Sequence, residues 1–368
     1  MTSRATGPVL ITGAFGQVGR RCTEILLDRG RTVVAMELRN DTTVATAEEL
    51  ATRGGTLIPA YVDLLDADAV AALVAEHQPV AIVHLAAIFA PSSYRNPRLA
   101  RKVNVGGTEN LLAAAAALST PPLFLYASSA AVYGSRNPHR YPERITASTP
   151  VDPIDQYGED KVLAEKAIAV SGLPHAVLRL AGIISPDGAS NMNADYLLLM
   201  RATPGDNRMH TVDSRDVALA FANAVDRGDA IDGKTLLIAG DDSHVRTHRE
   251  LEDEMMEAVG LGRLGNGASL PGDPDDDRGW SFTGWFDTSE SQSLLNFQQH
   301  TWPQTKAWVA DAMGARRLVI GLLGPVARPA LRLVLQVQRH VEGRGRYADP
   351  WTLIERKYGS DVLTPTDY

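Results

Sequence analysis

The segment VLITGAFGQVG, Val9–Gly19, opens on a short apolar run and closes on glycines at positions 13, 16 and 19. Val9, Leu10 and Ile11 have the continuous hydrophobicity of a strand buried on both faces. Thr12 and Gly13 break that run, and Gln17–Arg29 then follows with helical periodicity. A strand that turns sharply into a helix aims the free N–H groups of the first helical turn at one point, a natural seat for a pyrophosphate. Side chains at the turn would hold phosphates off the backbone, and one at Gly19 would push the helix off the sheet. Glycine-rich turns are common, so the weight of the motif lies in the strand before it and the helix after it.

Outward from this turn the pattern repeats. Thr32–Met36 reads as a second buried strand ending in Glu37, 24 residues beyond Gly13. That is where a dinucleotide fold puts a carboxylate on the adenosine ribose hydroxyls. A carboxylate there repels a 2′-phosphate and favours NAD over NADP, although Arg39 offers that phosphate a partner; the alternative for Glu37 is an exposed strand-end charge. Leu57–Val62 is a third strand, and Asp63 after it suits either an adenine contact or a cap for the Asp66–His77 helix. Pro79–His84 is the fourth, running into HLAA, where Ala86 and Ala87 let the chain pass close to a cofactor and His84 reads as a satisfied, partly buried histidine. A long helical segment, Asn96–Leu118, precedes strand Leu123–Tyr126; helix Asp155–Ser171 precedes strand Ala176–Leu180. Strands alternating with helices at this spacing predict an α/β, Rossmann-type doubly wound parallel sheet.

Beyond Leu180 the rhythm loosens. Residues 181–210 read as loop-rich with one helix near Ala194–Arg201, Asp213–Arg227 as helical, Thr235–Ile238 as a strand and His248–Val259 as a helix. The expected organisation is a dinucleotide-binding domain over 1–181, with 211–240 returning to it. A smaller, discontinuous substrate domain takes 182–210 and 241–312, and a helical tail takes 313–368. The acidic run Asp273–Asp277 reads as a solvated loop rather than a metal site, and no metal is expected. Trp280, Phe282, Trp285 and Phe286 read as core of the smaller domain, or as a wall of the substrate pocket.

Composition narrows the partners. A net charge of −8 argues against a general affinity for nucleic acid. The one cysteine, Cys22, excludes a disulfide framework, suits a reducing, cytoplasmic setting and reads as a core residue. MTSRATGP leaves little room for a signal peptide before the first strand, and no window holds roughly 20 uninterrupted apolar residues.

Tyr157 and Lys161 stand four apart in YGEDK, which puts a phenol and an ammonium on one helix face, one turn apart. A free tyrosine, with a pKa of about 10, is a poor base at neutral pH. A nearby ammonium, with a positive nicotinamide ring, stabilises its phenolate. Such a pair can take a proton from a secondary alcohol as hydride leaves its carbon, or return it in reduction. In order and spacing, VLITGAFGQVG, HLAA, NVGGT, SSAAVYG and YGEDK resemble the extended short-chain dehydrogenases/reductases, the NAD-dependent epimerase/dehydratase family, over roughly residues 8–240.

The resemblance implies that Tyr157 is the acid/base and that Lys161 lowers its pKa and binds the nicotinamide ribose. Ser129, or Ser128 beside it, would bond the reacting oxygen, and Asn104 would hold the long helix and a water relay. The implied cofactor contacts are Gly13, Gly16, Gln17, Val18, Gly19, Glu37, Asp63, Leu64, Leu85, Ala86 and Ala87, together with Tyr157 and Lys161. The small-molecule substrate is expected to be a sugar nucleotide, and a homodimer is expected through the Asn96–Leu118 and Asp155–Ser171 helices.

Departures bear on the substrate. Ser128-Ser129-Ala130 stands where the family's dehydratases carry Thr-Asp-Glu, so a 4,6-dehydratase is not expected. Ala181 and Gly182 stand where its epimerases usually place an asparagine on the diphosphate; Arg208 and Arg215 are the candidate substitutes, although Arg215 beside Asp216 also reads as a surface ion pair. A lipophilic alcohol is the alternative substrate, and a non-catalytic cofactor-sensing protein the alternative of another class. The tail adds seven arginines and one acid, Glu342, between Arg316 and Arg346. Leu331, Val334, Leu335, Gln338 and Val341 fall on one side, and Arg328, Arg332 and Arg339 on the other. Such a helix suits an anionic membrane, a lid or another subunit, or it packs on its own domain with breaks at Pro325 and Pro329.

Overall fold

The computed structural model describes residues 7–190, 194–281 and 284–363. Its strands are β1 (Val9–Thr12), β2 (Thr32–Glu37), β3 (Thr56–Tyr61), β4 (Ala81–His84), β5 (Leu123–Ser129), β6 (His175–Leu180), β7 (Gly182–Ile184), β8 (Arg208–Asp213), β9 (Lys234–Ile238) and β10 (Val245–Thr247). Seven of them form one parallel sheet in the order β3-β2-β1-β4-β5-β6-β9. The period-two geometry of β1 explains its unbroken hydrophobicity. Val9 and Ile11 face the helices Gly19–Asp28 and Ser214–Val225, and Leu10 faces Ala67–His77 and Gly107–Ala116. Chain order reverses between β1 and β4, so a crevice opens at their carboxyl ends, beside the glycine turn. β10, β8 and β7 form a second, three-stranded sheet.

Several expectations change. The long helix over Asn96–Leu118 is three pieces: Pro97–Arg101, a π-helical turn Lys102–Gly106, and Gly107–Ala116. π-Helical turns mark places where a side chain is re-aimed, and this one carries Asn104. Strand β5 runs three residues past Tyr126, to Ser129. The loop-rich reading of 181–210 missed β7 and β8; β8 buries His210, Thr211 and Asp213, polar residues that give no hydrophobic period. Helix Asp41–Leu50 was missed for the same reason, its capping box of Asn40 and Thr43 being the stronger signal. Asp66, not Asp63, caps the Ala67–His77 helix, and Asp63 accepts instead from Leu65 N at 2.9 Å. Trp280 and Phe286 are buried core, while Phe282 lies outside the described residues. Cys22 is fully buried, and burial pushes its thiol up to about 12.

The tail departs most. Ala315–Val341 is one helix running through both Pro325 and Pro329. Each proline removes an intrahelical hydrogen bond, but the helix is docked on both sides of them. Gly324 lies against the Leu261 carbonyl, where an added Cβ would come within 3.0 Å, and Arg332 Nε donates to Leu264 O at 2.6 Å. Arg339 donates to Ala268 O. The arginine side thus faces the body of the protein. Leu331 and Leu335 turn partly inward, and the outward stripe runs through Leu333 and Val337. By length and composition this helix could cross a membrane, though Arg328 and Arg332 interrupt its apolar run.

Candidate active site

The glycine turn is built by close approach. Gly13 has φ +65°, and a Cβ there would lie 2.9 Å from Ala86 N, so HLAA can run directly beside it. A Cβ on Gly19 would fall 1.9 Å from the Gly13 carbonyl oxygen. Val18 caps the Gly19–Asp28 helix with no side-chain hydrogen bond, and the first turn carries no acid. Its amide donors and positive dipole end therefore lack a side-chain counterpart. Gln17 Nε2, at the same turn, is buried without a partner. Glu37, at the end of β2, accepts from Phe15 N at 3.4 Å and Leu38 N at 3.1 Å, which hangs its carboxylate over the turn. Arg39 lies over the Tyr61 ring at 4.9 Å. Leu85 N and Ala86 N bond the Thr12 carbonyl and hydroxyl at 3.3 and 3.2 Å. Ala87, next along, is part-buried like both of them. Leu64 is buried under Gly107 and Asp63 is exposed, beyond the end of β3. His84 is fully rather than partly buried. Thr12 and Thr108 hold its ring nitrogens at 2.7 and 2.9 Å, and burial followed by the Lys161 charge pushes its pKa down to about 3.

The second cluster grows from β5 and the helix Gln156–Val170. Asp155 caps that helix through Gly158 N at 2.8 Å. A Cβ on Gly158 would meet Ala131 O at 2.5 Å, so only glycine lets the helix close on the turn after β5. That closure sets the Tyr157 phenol beside Ser129, near enough for the serine hydroxyl to lower the phenol pKa. Lys161 is buried, donates to Ala127 O at 2.7 Å, and holds Nζ 5.8 Å from the Tyr157 ring centre. Burial lowers its pKa to about 8.

The sequence expects Lys161 to lower the Tyr157 pKa. In the protein alone the phenol is instead pushed up, by burial first, against the lowering effect of the nearby Ser129 hydroxyl and with the Asp155 and Asp160 charges adding to the rise.

Asn104 accepts from Ile88 N at 2.8 Å and donates to Ile88 O at 2.9 Å, tying the π-helical turn to the segment after HLAA. It also donates to buried Asp160 at 3.3 Å, which Arg101 holds from the other side at 2.9 Å. Ser128 points elsewhere. Its hydroxyl donates to Glu165 at 2.5 Å, and Glu165 forms a buried pair with Arg179 at 2.7 Å. Arg208 lies over Trp285 at 4.4 Å and donates to Pro142 O at 2.8 Å. Arg215 donates to both Asp213 oxygens through Nε and Nη2, at 2.9 and 2.7 Å, with Trp308 4.0 Å beneath its guanidinium. Its partner is therefore not Asp216, which pairs with His300 at 2.5 Å. The structure joins Ser129, Tyr157 and Lys161; it engages Ser128, Arg208 and Arg215 in other contacts.

Sequence reasoning missed Gly158, Asp155, Asp160 and Tyr94. Tyr94 OH donates to Asp155 Oδ2 at 2.6 Å, a contact 61 residues apart that no local pattern reveals. Burial raises the Asp155 pKa from 3.8 to about 6. A carboxyl with a higher pKa folded than unfolded binds its proton more tightly in the native state. Its stabilising contribution is full below the unfolded value and is lost as pH rises through about 6. Asp155→Asn, which does not titrate, is therefore expected to gain about 2–3 kcal/mol on the parent between pH 4 and 7, read from denaturant unfolding at each pH. A constant gap across that range would refute the assignment.

The model of the NAD dependent epimerase/dehydratase family matches residues 9–239. Over 120 residues the chain is 38% identical to methionine adenosyltransferase 2 subunit beta of Rattus norvegicus, covering 32% of this chain and 34% of that one. Over 170 residues it is 31% identical to UDP-glucose 4-epimerase uge1 of Schizosaccharomyces pombe, covering 46% of this chain and 48% of that one. These matches span between a third and a half of each relative's length. A solved UDP-glucuronic acid 4-epimerase variant of Bacillus cereus, in complex with a UDP-sugar and NAD, superposes with a TM-score of 0.68 at 18% identity, covering 84% of this chain and 99% of that one. At that identity the likeness shows the fold.

Proposed function

This chain belongs to the NAD dependent epimerase/dehydratase family, and from that membership we propose that it moves hydride at a secondary alcohol or ketone of a sugar nucleotide, with Tyr157 as the acid/base. One observation carries the reading: a phenol beside Ser129 and a buried ammonium, at the carboxyl end of β5.

NAD fits the residues present. The turn at Gly13 is a cradle that a side chain would fill, the helix start is uncapped, and Gln17 Nε2 is buried without a partner. Gly13, Gly16 and Gly19 would hold the pyrophosphate, Glu37 the adenosine ribose hydroxyls, and Lys161 the nicotinamide ribose. When bound, the nicotinamide supplies a hydride acceptor and a positive charge. Tyr157 then takes the hydroxyl proton, or returns it to a carbonyl oxygen, while Ser129 orients the reacting oxygen. NAD is proposed ahead of NADP because Glu37 stands at the ribose position and the Arg39 guanidinium is stacked on Tyr61.

The test is a panel of sugar nucleotides and hydrophobic secondary alcohols scored for NADH, with product chirality recorded to catch silent epimerisation. Turnover of a sugar nucleotide supports the reading. Turnover confined to hydrophobic alcohols supports the second one, a lipophilic substrate, which the exposed apolar face of Ala315–Val341 favours. A protein that binds NAD and turns over nothing supports a cofactor-sensing role.

A further inference from the structure

The helix Ala315–Val341 is turned inside out relative to an ordinary surface helix. At 3.6 residues per turn, Leu318, Leu322, Val326, Leu333, Val337 and Val341 fall within about 140° of arc. All six are exposed, Leu322 to 82%. The opposite side meets the body through Gly324 and the arginines that reach the Leu264 and Ala268 carbonyls. A stripe of this kind, roughly 40 Å long, needs a partner.

Charge selects the partner. From Ala315 to Val341 the helix carries five arginines and no acid, in a chain whose net charge is −8. Glu342, just beyond it, is already held by Arg201 at 2.5 Å. A second copy laid along the stripe, parallel or antiparallel, would meet at its edges only the flanking cations Arg316 and Arg332, with no acid on the helix to offset them. Crossing a bilayer would strip Arg332 and Arg339 from the carbonyls they bond on the protein body. An anionic headgroup layer supplies the missing countercharge, and its acyl boundary accepts the leucines and valines.

We infer that the outward face of Ala315–Val341 docks in the plane of an anionic lipid bilayer, leucines and valines inward and Arg316, at the edge of the stripe, at phosphate level. The helix does not span the membrane; it seats the protein on it. The inference is independent of which substrate is turned over, because its test involves no catalysis.

The full chain is mixed with vesicles of phosphatidylcholine, with or without phosphatidylglycerol, and floated on a density gradient. Flotation is expected with phosphatidylglycerol, weaker without it and weaker at high salt. Leu322→Glu with Val326→Glu should lower the vesicle affinity by at least about tenfold, with melting temperature and NAD binding near those of the parent. Arg316→Glu should lower it on phosphatidylglycerol vesicles alone. Absence of flotation on phosphatidylglycerol vesicles overturns the inference, as does equal flotation of the leucine–valine variant. A lipid-free dimer that the same variant dissolves, seen by sedimentation velocity, overturns it in favour of self-association.

Discussion

Tyr157→Phe is expected to cut turnover by about a thousandfold, the usual scale for losing a positioned acid/base, while NAD affinity and melting temperature stay near the parent's. The half-buried Tyr157 sets its phenol beside Ser129, with Lys161 Nζ 5.8 Å from its ring centre. Phenylalanine keeps the ring and removes only the proton carrier. Because burial holds the phenol pKa above its ordinary value in the protein alone, the parent's activity should rise with pH until the complex-state phenol titrates. The variant should lose that limb. Residual turnover within tenfold of the parent, or a pH profile that survives the substitution, would defeat the assignment.

Gly19→Ala is expected to be the most damaging change in the cofactor half. A single methyl there falls 1.9 Å from the Gly13 carbonyl oxygen, and the atom it meets is backbone, with no flexible side chain to swing away. The helix must slide off the sheet or the turn must open. Either outcome costs about 1–3 kcal/mol by the usual scale of overpacking. It also spreads the amides that would hold a pyrophosphate, so NAD affinity measured by calorimetry should fall by at least tenfold. Gly30→Ala is the control: it has φ +75° and nothing within 4 Å of the added methyl. It should show backbone strain alone, with NAD affinity unchanged. Equal effects at both positions would mean that close packing at Gly19 does not shape the site.

The chemistry-bearing turn and the phenol–ammonium pair were legible because both are short-range. A strand, three spaced glycines and a helix form within 20 residues, and a four-residue interval on a helix puts two side chains on one face whatever surrounds them. Asp155, Asp160 and Gly158 were overlooked although they flank the same motif, since their roles depend on what packs against them. Strand β8 escaped notice because its inner residues are polar and are satisfied by partners such as Gly240, His244 and Thr305, which lie elsewhere in the chain.

Sequence alone determined the parallel sheet, the glycine turn, the family, and the helix that carries Tyr157 and Lys161, because these follow from local period and spacing. Tertiary structure alone decided that Ser129 meets the phenol while Ser128 joins Glu165. It committed Arg208 and Arg215 to Trp285 and Asp213. It also carried the last long helix through two prolines with its arginines inward. Each of these turns on atoms brought together from distant parts of the chain, and a side chain's partner is set by what folding delivers to it.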